Sequence, residues 1–200
     1  ANDDWPGYPS RLVHVPDKRH ARVETFTLLR GGKIPQIRHT FAYNYVCSAY
    51  RTGIRKVSWI YGINENQVAV AMAGTYNFRQ LDTQGCQMEA DDLPWLVLER
   101  AHTARDGIEI MTALMDKYGF AGGSVDEGGS VTMAIADTRE GWWFEPIPGG
   151  VWLATRVSDT MATFRPNCIG THGVDVSDGK NVRGSKNMVP YAMGQGWYTP

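Results

Sequence analysis

Gly62-Ile63-Asn64-Glu65-Asn66-Gln67-Val68-Ala69-Val70-Ala71 is the stretch that decides how this chain is read. Asn takes turn conformations readily, so Asn64 and Asn66 mark a reversal. Val57 to Tyr61 on one side and Gln67 to Ala73 on the other have strand composition. The stretch therefore predicts a β-hairpin. Its second strand is nearly all small or apolar, which predicts burial on both faces.

Working outward, Arg11 to Val15, Val23 to Leu29 and Phe41 to Tyr50 read as strands, with Pro16 and Gly31-Gly32 as breaks. Downstream the period changes. Leu93, Leu96, Val97, Ala101 and Ala104 recur near every 3.6 residues, behind Asp91 or Asp92 as a cap and Pro94 in the first turn. Thr103-Ala104-Arg105-Asp106 resembles a capping box with Asp in place of Glu. Ile108, Met111, Leu114, Met115 and Tyr118 give the second helix an apolar face, and Gly119 stops it. Helices are expected over Asp92 to Ala104 and Asp106 to Tyr118. Gly122 to Ser130 reads as a flexible loop. Strands are expected again at Val131 to Ala136, Trp142 to Glu145, Val151 to Val157 and Thr160 to Phe164. Strands, two helices, then strands predict the α+β class.

Composition narrows the function. With 42% hydrophobic and 20% charged residues, the 200-residue chain suits one soluble domain. Its 20 basic and 21 acidic residues nearly cancel, which argues against a general nucleic-acid binder. No apolar run is long enough to span a membrane. Cys47, Cys86 and Cys168 are an odd, widely spaced set without C-x-x-C, so three free, mostly buried thiols are expected. That count leans towards a cytoplasmic over a secreted or periplasmic setting. His14, His20, His39, His102 and His172 show no metal-ligand spacing, and no metal or cofactor is expected. Cys47, inside a strand pattern, reads as a packed thiol rather than a papain-type nucleophile.

The hairpin sequence, Leu98-Glu99-Arg100-Ala101, Arg165-Pro166-Asn167 and Gly196-Trp197 come one after another in an order that resembles the dipeptidase A family. Asp3-Asp4-Trp5 and Val174-Asp175-Val176 fit the same register. That family belongs to the N-terminal-nucleophile (Ntn) amide hydrolases, close to penicillin V acylase and bile salt hydrolase. The resemblance implies an αββα sandwich of mainly antiparallel sheets with helices on the outer faces, as a single domain over residues 1–200. It also implies a chemistry: cysteine-dependent cleavage of dipeptides or short peptides through a thioester.

In such enzymes an N-terminal cysteine attacks and its own α-amino group takes the proton. Ala1 has no nucleophilic side-chain atom. Ala1-Asn2-Asp3-Asp4-Trp5 resembles a motif that comes after the cysteine-led strand in the family. The expectation is therefore that this chain is a fragment of a longer one, that it has no dipeptidase activity alone, and that it associates with the missing part or with another copy. By resemblance, Asp4 orients the nucleophile's amino group and Asn167 helps form the oxyanion hole. Gly74 and Thr75, at the end of the hairpin's second strand, line the substrate site. Arg165 is a candidate ligand for a substrate carboxylate, because Arg grips carboxylates bidentately. Asn64 is assigned a structural role in the turn. Two other readings stay open: a non-catalytic binding or structural protein on the same fold, and an acylase acting on a non-peptide amide.

Overall fold

The structure is a computed structural model, and it describes residues 11–49, 58–75, 81–123 and 129–199. Period-two burial builds most of it. On Tyr43-Asn44-Tyr45-Val46-Cys47, the two tyrosines and the cysteine are buried while the residues between them are more exposed. In chain order the strands are β1 (Arg11–Val15), β2 (Lys18–Arg19), β3 (Thr25–Thr27), β4 (Lys33–Pro35), β5 (His39–Thr40), β6 (Tyr43–Ala49), β7 (Ser58–Asn64) and β8 (Ala69–Thr75). Helices α1 (Asp92–Arg100) and α2 (Ala104–Tyr118) come next, then β9 (Ser130–Ala136), β10 (Gly141–Ile147), β11 (Val151–Arg156), β12 (Val182–Gly184) and α3 (Met188–Gly194).

Eight strands form one sheet in the order β1-β6-β7-β8-β9-β10-β11-β12. Its ladders are antiparallel, as are the small pairs β2-β5 and β3-β4. Both long helices lie on one face: α1 over β7 and β8, α2 over β9 and β10. The class is α+β, with the antiparallel sheet and outer helical layer that the Ntn resemblance implies. Among the described residues, one large sheet and one helical layer of the expected sandwich are present.

The core between these layers is made of Ile60, Val70, Met72, Met133, Ile135, Trp142 and Phe144 from the sheet and Leu93, Leu96, Leu98, Ile108 and Met111 from the helices. Close approach of α1 requires Gly62. A Cβ there would stand 2.7 Å from Asn44 O and 2.8 Å from a Leu98 methyl carbon.

The hairpin is formed by β7 and β8, and Asn64 is structural. Only 4% exposed, it donates from Nδ2 to Ala101 O (2.8 Å) and Leu98 O (3.3 Å). Its Oδ1 accepts from Asn66 N and Val68 N, each at 3.0 Å. One side chain thus shapes the turn and satisfies carbonyls at the end of α1. The left-handed residue of this turn is Gln67, at φ 62°, rather than an asparagine. Burial of β8 on both faces does not hold: its residues alternate between buried and half-buried up to Gly74.

The expected break between the helices falls earlier, at Ala101, because Thr103 caps α2. Its side chain accepts from Asp106 N (3.1 Å), and Asp106 accepts from His102 N (2.8 Å), a variant of the capping box whose return bond reaches the residue before the cap. Asp137 Oδ2 also accepts from Ala104 N (2.8 Å), tying the β9-β10 turn to the start of α2. Asp91 stands at the cap of α1 without a side-chain cap bond. Asp92, fully buried, instead accepts from Glu89 N (2.9 Å) and Leu29 N (3.1 Å), holding the β3-β4 unit against the helix.

One expected strand does not form in the C-terminal quarter. Residues 160–164 form no strand, and Met161 and Phe164 are exposed. β12 and α3 carry too little apolar periodicity to stand out in the sequence. All three cysteines are free, but only Cys47 is buried: Cys86 is half-buried and Cys168 exposed. No helix among the described residues is long and apolar enough to cross a membrane.

Candidate active site

The sheet face turned away from the helices has a different chemistry. On β8 it carries Ala69, Ala71, Ala73 and Thr75; on β9 it carries Ser130, Thr132, Ala134 and Ala136. Small side chains leave this surface shallow, and the alanines of β8 are half-buried. At one end it becomes polar. Thr75 pairs with Ser130, and Ala73 with Thr132. Thr75 and Thr132 are 2% and 1% exposed, yet among the described residues neither hydroxyl oxygen has a hydrogen-bond partner. An unpaired buried hydroxyl costs on the order of 1–3 kcal/mol. Ser130 Oγ donates to Pro146 O on β10.

β10 adds a carboxylate to the same face. Trp142 and Phe144 point into the core, so Trp143 and Glu145 point to the opposite side. Glu145 is 2% exposed. It stands two strands from Thr75, about 10 Å by strand spacing. The loop after β11 folds over it. Glu145 Oε1 accepts from Gly170 N (2.8 Å) and lies 3.7 Å from Arg165 Nε. The Arg165 guanidinium stacks over Trp143 at 5.1 Å from the ring centre and donates to Thr171 Oγ1 (3.1 Å). Trp143 Nε1 donates to Thr163 Oγ1 (3.3 Å).

The residues nominated from sequence are only partly brought together. Gly74 and Thr75 end β8, both buried, with Gly74 paired to Val131. Arg165 and Asn167 share the loop that Glu145 anchors. Asn167 is exposed, beside a tight bend closed by Cys168 N donating to Pro166 O (2.7 Å). Arg165 is committed to Glu145, Thr171 and Trp143. Asp4 and the Ala1 to Trp5 motif lie outside the described residues. Sequence reasoning missed Glu145 and Thr132. The available signal was an acidic residue closing the aromatic run Trp142-Trp143-Phe144, in a stretch already read as a strand.

Elsewhere, an open groove of about 600 Å³ lies on the helical side, lined by Asp116, Trp152, Arg183, Lys186 and Asn187 among others. None of the nominated residues lines it. Among the described residues, no three of His, Cys, Asp or Glu cluster as metal ligands would.

The pattern of peptidase family C69 matches residues 42–200. The chain belongs to that family. Its relatives include a dipeptidase of Bifidobacterium longum (strain NCC 2705), 32% identical over 88 residues, which are 44% of this chain and 15% of the relative. A dipeptidase A of Lactobacillus helveticus is 28% identical over 135 residues, 64% of this chain and 27% of the relative. A probable dipeptidase of Latilactobacillus sakei is 28% identical over 138 residues, 66% and 28% respectively. The chain thus spans less than a third of the length of each of these curated relatives. Among solved structures, a point mutant of conjugated bile acid hydrolase from Clostridium perfringens aligns at a TM-score of 0.48 and 11% identity. The alignment covers 76% of this chain and 44% of that one. The family C69 match spans the hairpin, both helices and the Asn167 loop, and relatives named dipeptidase A are among the similar proteins.

Proposed function

We propose that this chain is part of a cysteine-dependent Ntn hydrolase that cleaves dipeptides or short peptides. The family match over residues 42–200, with relatives named as dipeptidases, is the observation that carries the reading. In this reading the nucleophile is the N-terminal cysteine of the whole enzyme. Its sulfur attacks the peptide carbonyl while its α-amino group takes the thiol proton. The tetrahedral intermediate collapses to a thioester, the C–N bond breaks, and the proton leaves on the departing amine. Water then attacks the thioester and releases the second product.

In this reading Asp4 holds the α-amino group, and the Asn167 side-chain amide donates to the oxyanion. The end of β8, with Gly74 and Thr75, forms the floor against which the peptide lies. The buried Thr75 and Thr132 hydroxyls, without a partner among the described residues, support a polar role for that floor. Arg165 enters as a loop anchor and not as a substrate ligand, because its guanidinium is already held by Glu145, Thr171 and Trp143.

The test is hydrolysis of a dipeptide panel, with acyl amides beside it, by the full-length polypeptide. Asn167→Ala should lower kcat on the order of 100-fold, and alkylation of the terminal cysteine should abolish turnover. Equal turnover by the 200-residue chain alone would overturn the mechanism and point to Cys47 or Cys168.

A further inference from the structure

We infer that Glu145 is a positioning residue for the loop that presents Asn167; its catalytic consequence rests on the peptidase reading above. The loop between β11 and β12 is irregular, and many of its side chains are exposed. A segment of that kind holds one conformation only where something fixes it. Glu145 does so from below, on both sides of Asn167. Two residues before Asn167, Arg165 brings its Nε to 3.7 Å from Glu145 Oε1. Three residues after it, Gly170 N donates to the same oxygen at 2.8 Å.

The fit around the clamp is tight. A Cβ on residue 170 would stand 2.8 Å from Arg165 Cδ and 2.9 Å from its Nε, so Gly170 lets the arginine pass beneath it. Trp143, the neighbour of Glu145 on the same face, supports the guanidinium from one side and binds Thr163. Thr171 closes the other side by accepting from Arg165 (3.1 Å). The bend between the two attachment points carries Asn167 at an exposed position.

A carboxylate at 2% exposure is expensive unless it is paired and hydrogen-bonded. An apolar residue on this strand would pack without that penalty. What the carboxylate adds is a directional hydrogen bond from Gly170 N and an ion pair with Arg165, either side of Asn167. A loop displaced by about 1 Å loses on the order of 100-fold in rate where its side chain must meet a developing charge.

The experiment uses the full-length polypeptide, as wild type, Glu145→Gln, Glu145→Ala, Gly170→Ala, Asn167→Ala and Glu145→Ala/Asn167→Ala. It reads amide hydrogen exchange over residues 163–171 together with steady-state kinetics. Glu145→Ala should speed exchange in this segment by about tenfold or more, as expected for loss of a buried hydrogen bond of roughly 1.4 kcal/mol. It should lower kcat on the order of tenfold to a hundredfold with little change in KM. Glu145→Gln keeps an acceptor for Gly170 N–H and should recover much of both effects. Gly170→Ala, which leaves the carboxylate in place and so tests the clamp even if Glu145→Ala folds poorly, should repeat them by displacing Arg165. The double variant should be no slower than Asn167→Ala alone, because Glu145 acts through that residue. Unchanged exchange in both Glu145→Ala and Gly170→Ala overturns the inference whatever the activity. Additive losses in the double variant also overturn it. A wild type that cleaves no dipeptide brings down the peptidase reading instead, and the exchange arm still decides whether Glu145 holds the loop.

Discussion

Replacing Asn64 by alanine removes four hydrogen bonds at a site with 4% exposure. Leu98, Ala101 and Val68 are fully buried, so the groups left behind cannot turn to water. Leu98 O and Ala101 O lie at the end of α1, beyond the reach of regular helical bonding. An unsatisfied buried group costs roughly 1–3 kcal/mol. Taking two such groups as fully orphaned, Asn64→Ala should destabilise by about 2–6 kcal/mol. For a chain of this size that corresponds to a drop in Tm on the order of 10 °C. Asn64→Asp discriminates between the two halves of the network. It keeps the acceptor for Asn66 N and Val68 N but turns an oxygen towards the two carbonyls, so it should not rescue stability near neutral pH. The assay is urea unfolding followed by tryptophan fluorescence, for wild type and both variants. A loss in Asn64→Ala below about 0.5 kcal/mol, the scale of an ordinary surface change, would refute the reasoning. So would an aspartate that restores half the loss, because that would assign the energy to the turn and not to the helix end.

The remaining predictions concern one buried hydroxyl and one carboxylate. Thr75→Val removes a hydroxyl that is buried and unpartnered, so unfolding measurements should show stability unchanged or raised by about 1 kcal/mol. If Thr75 meets substrate, KM should rise in the same variant, and a stability loss above about 1 kcal/mol would mean the hydroxyl is bonded after all. Glu24 is held by a hydrogen bond from Lys18 (2.9 Å) and then by the close His20 ring (2.8 Å), which lower its pKa from 4.5 to about 2. A depressed folded-state pKa means the stabilisation is present above pH 4.5 and is lost as pH falls towards 2. The stability difference between wild type and Glu24→Gln, measured from pH 7 downward, should therefore shrink through that window; a difference constant down to pH 2 would contradict it.

Much of the architecture was legible because each piece carried a local cause. The β7-β8 hairpin had its turn residues, α2 its capping box and 3.6-residue stripe, and β9 to β11 their runs between clear turn signals. The segment after β11 was not legible, for a physical reason. From Val157 to Asn181 the chain is held by side-chain bonds to other parts of the molecule: Trp143 to Thr163, Glu145 to Gly170, Arg105 to Lys180. None of these leaves a period in the sequence. Thr160 to Phe164 therefore looked like a strand on composition, although Met161 and Phe164 face solvent. The same limit applied to Arg165. Its residue type suggested a carboxylate partner, and it has one, but the partner is Glu145 of its own sheet.

The most recognisable motif and the candidate chemistry sit at opposite ends of one strand pair. Asn64 and Gln67 turn the hairpin at the end of β7. Thr75 closes β8 at the far end from Ala69, about 20 Å away along the strand. The motif is constrained by packing: Gly62 by the approach of α1, Asn64 by its buried hydrogen bonds, Gln67 by its left-handed backbone. The candidate chemical end draws its residues from β8, β9, β10 and the Asn167 loop, each with a weak sequence signal. A sequence can therefore keep Gly62-Ile63-Asn64-Glu65 intact and fold, while changes at Thr75, Glu145 or Asn167 alter what it does. Membership of the family rests on a match over residues 42–200 that takes in both sets. Activity has to be argued, and tested, from the second.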